Sequence, residues 1–418
     1  MSRTDNPDPE SLSRRSFMKR AGLALGTIAA VQAPQAAQAA KGAAKAPAPA
    51  SQPFAVAVLT PESSVMPLFG ANLLAGLALQ FNQIQHQAGG RALRLVSESY
   101  GVLPSSGIDR ARQLLAGPPL GALIVIGDYD TFAELAPAAA ERRIPLLLGD
   151  TGANLARSGA APFLASHSLS LWQSQYALGR WAAGAARRRA AMIGGCYESG
   201  YDAHFAFQLG FEQAGGQVIA SAISHVPGAS QDLAGMLADM HRAAPDLVYA
   251  AYSGDQAVEF LQAYAASGLA RTPLLGSSWL ADEAVLAKAG AAADGLRSAA
   301  AWSPQAAGQQ SFAKEFQSQA GRPADQLAAL GYDLGRKLTG ALAAAGQGAG
   351  PEQIAAALGG AATFAGAGQL HLREVRATKT GRVNVVTDPL DRVSDTAPGV
   401  QALRDSLKTG WRHAYLAF

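Results

Sequence analysis

From Phe54 onward the sequence alternates short apolar runs with longer stretches in which apolar residues recur at helical spacing. That rhythm marks strands joined by crossover helices in a parallel sheet. It predicts strands over Phe54–Leu59, Leu93–Glu98, Gly121–Ile126 and Ile144–Leu148, with helices over Gly70–Gln87, Ile108–Leu115 and Thr131–Arg142 between them. A Pro/Ser loop, Pro61–Pro67, follows the first strand, and the β-branched residues of the third mark it as buried. After Phe163–Trp172 the rhythm restarts. Helices Gln173–Ala186, Ala203–Ala214, Leu233–Arg242 and Gln256–Ser267 alternate with strands Ala190–Ile193, Val218–Ser224, Leu247–Ala251 and Pro273–Leu275.

Two such series imply two similar lobes, because a single layer of ~10 parallel strands is unusually wide. Right-handed crossovers are expected within each. The predicted class is α/β, with two Rossmann-like doubly wound lobes and a central cleft. Ser311–Gln319 and Ala324–Ala344 read as helices with no strand between them, and their expected place is against the first lobe. Gln369–Arg376 and Arg382–Val386 read as a hairpin turning at Thr380 and Gly381, and Val400–Leu407 as a last helix. The expected layout puts residues 53–168 plus about 301–362 in lobe 1, and 169–300 plus about 363–418 in lobe 2.

Composition adds limits. Of 418 residues 49% are hydrophobic and 16% charged, which excludes wholesale disorder. Cys196 is the single cysteine, so no intrachain disulfide exists. The formal charge is +3, but Arg3, Arg14, Arg15, Lys19 and Arg20 against Asp5, Asp8 and Glu10 place most of it in the first 39 residues. The nearly neutral remainder has no electrostatic grip on nucleic acid.

Those first residues resemble an address. Ser13-Arg14-Arg15-Ser16-Phe17-Met18-Lys19 followed by the apolar run Ala21–Val31 is similar to the twin-arginine export signal, with Met18 where the pattern has Leu. The run is shorter than the ~20 residues that span a bilayer. Cleavage is expected after Ala37-Gln38-Ala39, making residues 1–39 a signal peptide and the Ala/Pro/Lys stretch 40–52 a linker. No cysteine stands at the exit to carry a lipid, so a soluble periplasmic protein is expected.

In an open parallel sheet, ligands bind at the carboxyl edges of strands, where helix N-termini offer free N–H groups. Here those edges carry Thr60-Pro61-Glu62-Ser63-Ser64, Gly127-Asp128-Tyr129-Asp130-Thr131 and Asp150-Thr151-Gly152-Ala153-Asn154 in the first lobe. In the second they carry Gly194–Ser199, with Tyr197, then Tyr252-Ser253-Gly254-Asp255 and Gly276-Ser277-Ser278-Trp279. The same residue types cap helices, so each has two readings, cap or ligand contact. Enzyme motifs are missing. No G-x-G-x-x-G follows the first strand, and no P-loop, G-x-S-x-G elbow or H-E-x-x-H helix occurs. The seven histidines lack metal-ligand spacing, and no His lies near Cys196 in sequence to activate it. No cofactor, metal or catalysis is expected.

From Phe54 to about Ala345 the order of motifs resembles the type I periplasmic solute-binding proteins of ABC transporters, in the leucine/isoleucine/valine-binding branch. The resemblance rests on Leu123-Ile124-Val125-Ile126-Gly127, Arg143-Ile144-Pro145-Leu146-Leu147 with Gly152-Ala153-Asn154, and Phe211-Glu212-Gln213-Ala214-Gly215-Gly216. Ala244-Pro245-Asp246-Leu247-Val248-Tyr249, Gly268-Leu269 before Thr272-Pro273-Leu274-Leu275-Gly276, and Gly331-Tyr332-Asp333 continue it. It implies two lobes that close on a small ligand and hand it to an inner-membrane permease, the binding protein acting as a monomer. It places Thr131 as the hydroxyl on a ligand carboxylate, Ala153 and Asn154 as its assistants, and Phe69 in the side-chain pocket. Ser199 departs from the family's Tyr-Gly pair, and Ser278 stands where amino-acid binders often place a carboxylate. Asp128, Asp130, Asp150 and Asp255 offer charge from other directions, and Tyr129, Tyr197 and Trp279 offer flat walls. That inventory suits a solute with a cationic or amide group and a modest apolar part. The alternative is a sensor or accessory protein on the same fold, docking through the tail from Gly366 with Trp411 and Tyr415; a periplasmic enzyme ranks below both. Trp172 and Trp302 fall near the expected crossings, so intrinsic fluorescence should change on ligand addition. A flat response, with no thermal shift, across a broad metabolite panel contradicts a binding role.

Overall fold

A computed structural model describes residues 53–404 apart from 64, 156–158, 185–187, 229–231, 361–368, 395–396, 398–399 and 402–403. The expected leader and linker lie outside the described residues. So do Trp411 and Tyr415; of the expected last helix, Val400, Gln401 and Arg404 are described and helical.

The first sheet contains β1 (Phe54–Thr60), β2 (Gln87–Ala88), β3 (Arg91–Ser99), β4 (Ala122–Ile126), β5 (Leu146–Asp150) and β6 (Leu164–Ser168), in the order β2-β3-β1-β4-β5-β6. All pairs are parallel except β2 with β3. Central β1 sets Val56 beside Leu95 on one side and Ala122 on the other. It is buried along almost its whole length, which is why it reads as an unbroken apolar run. Helices α1 (Phe69–Gln83) and α2 (Pro104–Ala116) follow β1 and β3. The stretch expected as one helix, Thr131–Arg142, is instead α3 (Tyr129–Phe132), a 3-10 turn over Ala133–Leu135, and α4 (Ala136–Glu141). Pro137 lacks the N–H that a continuous helix would need there. Helix α1 stops short of its expected end because Gln85 and His86 turn left-handed, with φ of 52° and 54°.

The second lobe begins with α5 (Leu171–Gly184), β7 (Arg189–Gly195), α6 (Asp202–Gln213) and β8 (Gln217–Ser224). It continues through α7 (Leu233–Arg242), β9 (Leu247–Ala251), α8 (Gly254–Ala266), β10 (Leu274–Gly276), α9 (Glu283–Ala289) and β11 (Arg297–Ala300). The chain then crosses to α10 (Gln310–Ala320), α11 (Gln326–Ala345) and α12 (Pro351–Gly360), and returns to the second sheet as the hairpin β12 (Leu370–Thr378) and β13 (Gly381–Leu390). That sheet has the order β13-β12-β11-β10-β9-β7-β8, parallel except where β12 joins β11 and β13. β2, β6 and β11 are the strands the spacing does not reveal: β2 has only two residues, and Leu-Ala-Ser-His-Ser and Arg-Ser-Ala-Ala lack the β-branched residues that announce a strand.

Alternation governs the second core. On β7 and β9, Ala191, Ile193, Val248 and Ala250 face one apolar cluster with Leu261 and Leu286, while Ala190, Met192, Leu247, Tyr249 and Ala251 face another with Phe207 and Phe211. The first lobe holds one cluster, in which Leu327, Leu330, Leu334 and Leu338 of α11 pack with Leu73 and Leu77 of α1 and with β1, β4 and β5. Each lobe contains a helix pair whose backbones nearly touch. A Cβ added at Gly76 would lie 1.9 Å from the Ala328 carbonyl oxygen, and one at Gly331 1.9 Å from that of Leu73. In the second lobe, added Cβ atoms at Gly179 and Gly210 would lie 2.2 Å from the carbonyl oxygens of Phe207 and Tyr176. Gly331→Val should therefore push α11 off α1 and cost about 3 kcal/mol in urea unfolding. Gly359→Ala, with no atom within 4 Å of the added carbon, should change stability by no more than about 1 kcal/mol. Equal costs would refute the close crossing.

Candidate functional site

The carboxyl edges of the two sheets face each other, and the N-termini of α1, α6, α8, α9 and α11 all open into the space between them. A cavity of about 290 Å³ lies there. The loop after β1 and the start of α1 supply Val65, Met66, Leu68, Phe69 and Asn72, and the start of α11 supplies Asp325 and Leu327. From the second lobe come Gly254 and Asp255 at the head of α8, Trp279 after β10, and Asp282, Val285 and Lys288 on and before α9. The wall is largely apolar, with a few polar groups at its edges, the usual make-up of a small-molecule site. A second chamber of about 30 Å³ shares Met66 and Trp279 with it and adds Ala153, Tyr197, Glu198, Tyr201, His204 and Tyr249.

The lobes touch directly beside these spaces. Ala203 N–H donates to the Ala153 carbonyl at 2.8 Å, Leu155 N–H to the Asp202 carboxylate at 2.9 Å, and Asp202 N–H to Asn154 Oδ1 at 3.4 Å. The Ser278 hydroxyl donates to Gln326 Oε1 at 3.0 Å across the same divide. Gly254 completes the contact. Its φ is 57°, and an added Cβ would sit 2.0 Å from the Val65 carbonyl oxygen, so a side chain is excluded both by conformation and by the opposite lobe.

The residues singled out in sequence fall into three groups. Phe69, Asp255 and Trp279 line the larger cavity, and Ala153, Tyr197 and Trp279 the smaller. Asp128, Tyr129, Thr131, Asp150 and Asn154 form a network of their own. The Thr131 N–H and hydroxyl donate to Asp128 Oδ2 at 3.2 and 2.9 Å, and Asn154 Nδ2 donates to Asp128 Oδ1 at 3.0 Å. Asp150 accepts from the N–H groups of Gly152 at 2.7 Å and Tyr129 at 3.2 Å, and the Tyr129 hydroxyl donates to the Gly159 carbonyl at 2.9 Å. Capping and loop bracing are what these contacts do. The third group is bonded within the second lobe: the Ser199 hydroxyl donates to the Cys196 carbonyl at 3.1 Å, and the Ser253 hydroxyl donates to Glu198. Lys288 donates to Asp255 at 2.7 Å at the exposed rim.

Met66, Asn72, Tyr201, His204, Asp282 and Asp325 are among the site residues that sequence reading passes over, and Glu198 falls within the strand end Gly194–Ser199 without being singled out. Asp282 and Asp325 carry a helix-cap signal only, and they do cap α9 and α11, accepting from Ala284 N–H at 3.0 Å and Ala328 N–H at 2.7 Å. Asn72 Nδ2 also donates to Asp325, and Arg322 Nε to Asn72 Oδ1 at 2.7 Å. Burial, and then each other's proximity, pushes the Asp282 carboxyl well up; burial raises Asp325 as well. The hairpin braces this wall. Asn384 on β13 donates to the Ala281 carbonyl at 2.7 Å and to Glu283 at 3.1 Å, while the buried guanidinium of Arg373 on β12 donates to Ser298 Oγ and to the Trp302 carbonyl.

Burial, reinforced by the charge of Asp128, pushes the Asp150 carboxyl up to about 7, and burial pushes Glu198 up to about 7. In an unfolded chain both would titrate near ~4. The folded state therefore holds extra protons between those values. Their contribution to stability is full below pH ~4 and is lost as pH rises through about 7. Asp150→Asn should flatten this decline between pH 5 and pH 8 in thermal unfolding; an unchanged slope would show that Asp150 is not the group that titrates.

Comparison with known proteins places this architecture. Residues 53–385 match the family model described as periplasmic binding protein. No curated protein sequence matches the chain significantly. Among solved structures it is similar to an ABC transporter substrate-binding protein from Sphaerobacter thermophilus, at 25% identity and a TM-score of 0.73, covering 82% of this chain and 99% of that one. A Rhodopseudomonas palustris ABC transporter solute-binding protein in complex with benzoate matches at 24% identity and 0.67, covering 82% and 98%. A leucine-binding protein from Thermotoga maritima matches at 19% identity and 0.63, covering 81% and 99%. With four-fifths of its length matched by the family model and two lobes bounding one cleft, the chain belongs to the periplasmic binding protein family.

Proposed function

We propose that this protein captures a small polar or amino-acid-like solute in the cavity between its lobes and, once closed on it, delivers it to an inner-membrane ABC permease. The observation that carries the reading is the 290 Å³ cavity lined from both lobes, beside direct lobe-to-lobe hydrogen bonds that exist only when the lobes are together. A solute bound there would gain desolvated contacts on both sides at once, so its affinity would be spent on stabilising the closed form. The leucine-binding and benzoate-bound structural neighbours handle solutes with a compact apolar body and a polar head, the proportions this cavity offers. The twin-arginine pattern at Ser13–Lys19 supports delivery of the mature chain to the periplasm, where the proposed binding protein acts as a soluble monomer.

The test is a thermal-shift screen of the mature chain against amino acids, amines, amides and aromatic acids, followed by small-angle scattering with each hit. A binder should raise the melting temperature and shrink the radius of gyration. Gly254→Ala should cost about 1–2 kcal/mol for its left-handed backbone but leave the lobes folded, and it should abolish the shrinkage, because the added carbon meets the Val65 carbonyl only on closure. Silence across the screen, or closure undiminished in the variant, would overturn the reading.

A further inference from the structure

The chamber of about 30 Å³ beside the main cavity has about a tenth of its volume, room for a small polar group and not for a whole solute. Glu198 stands in its wall, only 6% exposed. One carboxyl oxygen accepts the Ser253 hydroxyl, and the other, Oε2, has no hydrogen-bond partner among the described residues. The two atoms nearest the side-chain position that Gly195 leaves empty are Glu198 Oε2, 2.5 Å from it, and Gln256 Oε1, 3.0 Å from it. Gln256 Oε1 likewise has no partner among the described residues. Two oxygens therefore converge here, and among the described residues the only proton between them is the one the Glu198 carboxyl carries while it is neutral.

Among the described residues the surroundings supply no positive charge. The influences on the Glu198 carboxyl are burial and hydrogen bonds, with no arginine or lysine among them. His204, in the same wall, is held neutral because burial pushes its imidazole down to about 4. Tyr249 and Tyr252 are kept protonated by burial and by the nearby acid, and the Tyr249 hydroxyl is committed to Gln175 Oε1 at 3.1 Å. From the first lobe the chamber is faced by Met66 and Ala153, which carry no charge. The rings of Tyr197, Tyr201, Tyr249 and Trp279 complete the wall. Aromatic faces attract cations, and a buried carboxylate without a cation of its own stays protonated until one arrives.

Resting on the reading of the cleft as a solute site, we propose that the Glu198 chamber is its cation subsite, taking a primary ammonium group from a solute whose apolar body lies in the larger cavity. Ser278, the position where the family resemblance expects a carboxylate, is occupied with Gln326, so in this chain the acid reaches the ligand from the loop after β7 instead. Binding would ionise Glu198 and release its proton. Below about pH 7 the affinity for an amine should therefore rise with pH, with about one proton released per ligand near pH 6.

The experiment is calorimetry on the mature chain with benzylamine, benzyl alcohol and benzoate, and with isopentylamine, isopentanol and isovalerate, each in two buffers of different ionisation enthalpy. At least one amine should bind tenfold or more tightly than its alcohol and its acid, with proton release in the parent. Glu198→Gln should erase both the preference and the release. An alcohol or carboxylate that binds as tightly as its amine would overturn the cation subsite while leaving the solute-binding reading intact. So would amine preference that survives in the variant, or binding of an amine to the parent without proton release, a readout that holds even should the variant fold poorly. Absence of any amine binding would also overturn it, whereas the broader screen above decides whether the cleft binds solutes at all.

Discussion

Where α1 crosses α11, and again where α5 crosses α6, the helix backbones approach until only a hydrogen fits between them. Gly76 and Gly331 make the first crossing, Gly179 and Gly210 the second. The consequences reach the cleft. Helix α11 is held at one depth and rotation on the first sheet, so Asp325 and Gln326 at its start project to the boundary between the lobes. Helix α6 is held in the same way, and its first turn delivers Asp202 and Ala203 to the loop Ala153–Leu155 opposite. The interlobe contacts are thus set by helix packing some turns away from them. A side chain at any of these glycines would move a helix start relative to its sheet.

The cleft itself is built on helix N-termini, and this explains its excess of acid. Asp282 and Asp325 cap helices, and Asp202 sits in the first turn of α6, where backbone N–H groups and the helix dipole favour negative charge. The dipoles offset part of the burial cost, and for Asp282 so does the charge of Arg373. Glu198 stands in a single 3-10 turn with no arginine among the described influences on it; hydrogen bonds from Ser253 and the backbone offset only part of its burial, which remains the chief influence. The difference separates acids that hold the scaffold together from one left with an oxygen to offer.

Much of the architecture is legible in the residues. The strands of both lobes that are rich in Val, Ile and Leu, the glycine after β4 and the hairpin near Thr380 follow from spacing and turn chemistry. What is missed is equally physical. β6 and β11 are polar or alanine-rich strands, recognisable only by the neighbours they pair with. Pro137 cuts a helix that apolar spacing alone would join.

For the cleft, sequence order determines which loops lie at the strand ends, because in a parallel sheet every strand carries its carboxyl edge to the same side. It therefore brings Tyr197, Asp255 and Trp279 into consideration as a group, whereas Phe69 enters only through the family resemblance. Only the tertiary structure decides which side chains in those loops are consumed. Asp128, Thr131 and Asn154 are bonded to one another, and Ser278 to Gln326, whereas Glu198 is buried with an oxygen to spare. The reason is that such bonds, some within a lobe and some across the cleft, mostly join residues distant in the chain, and whether a polar atom has a partner depends on packing that no local pattern encodes.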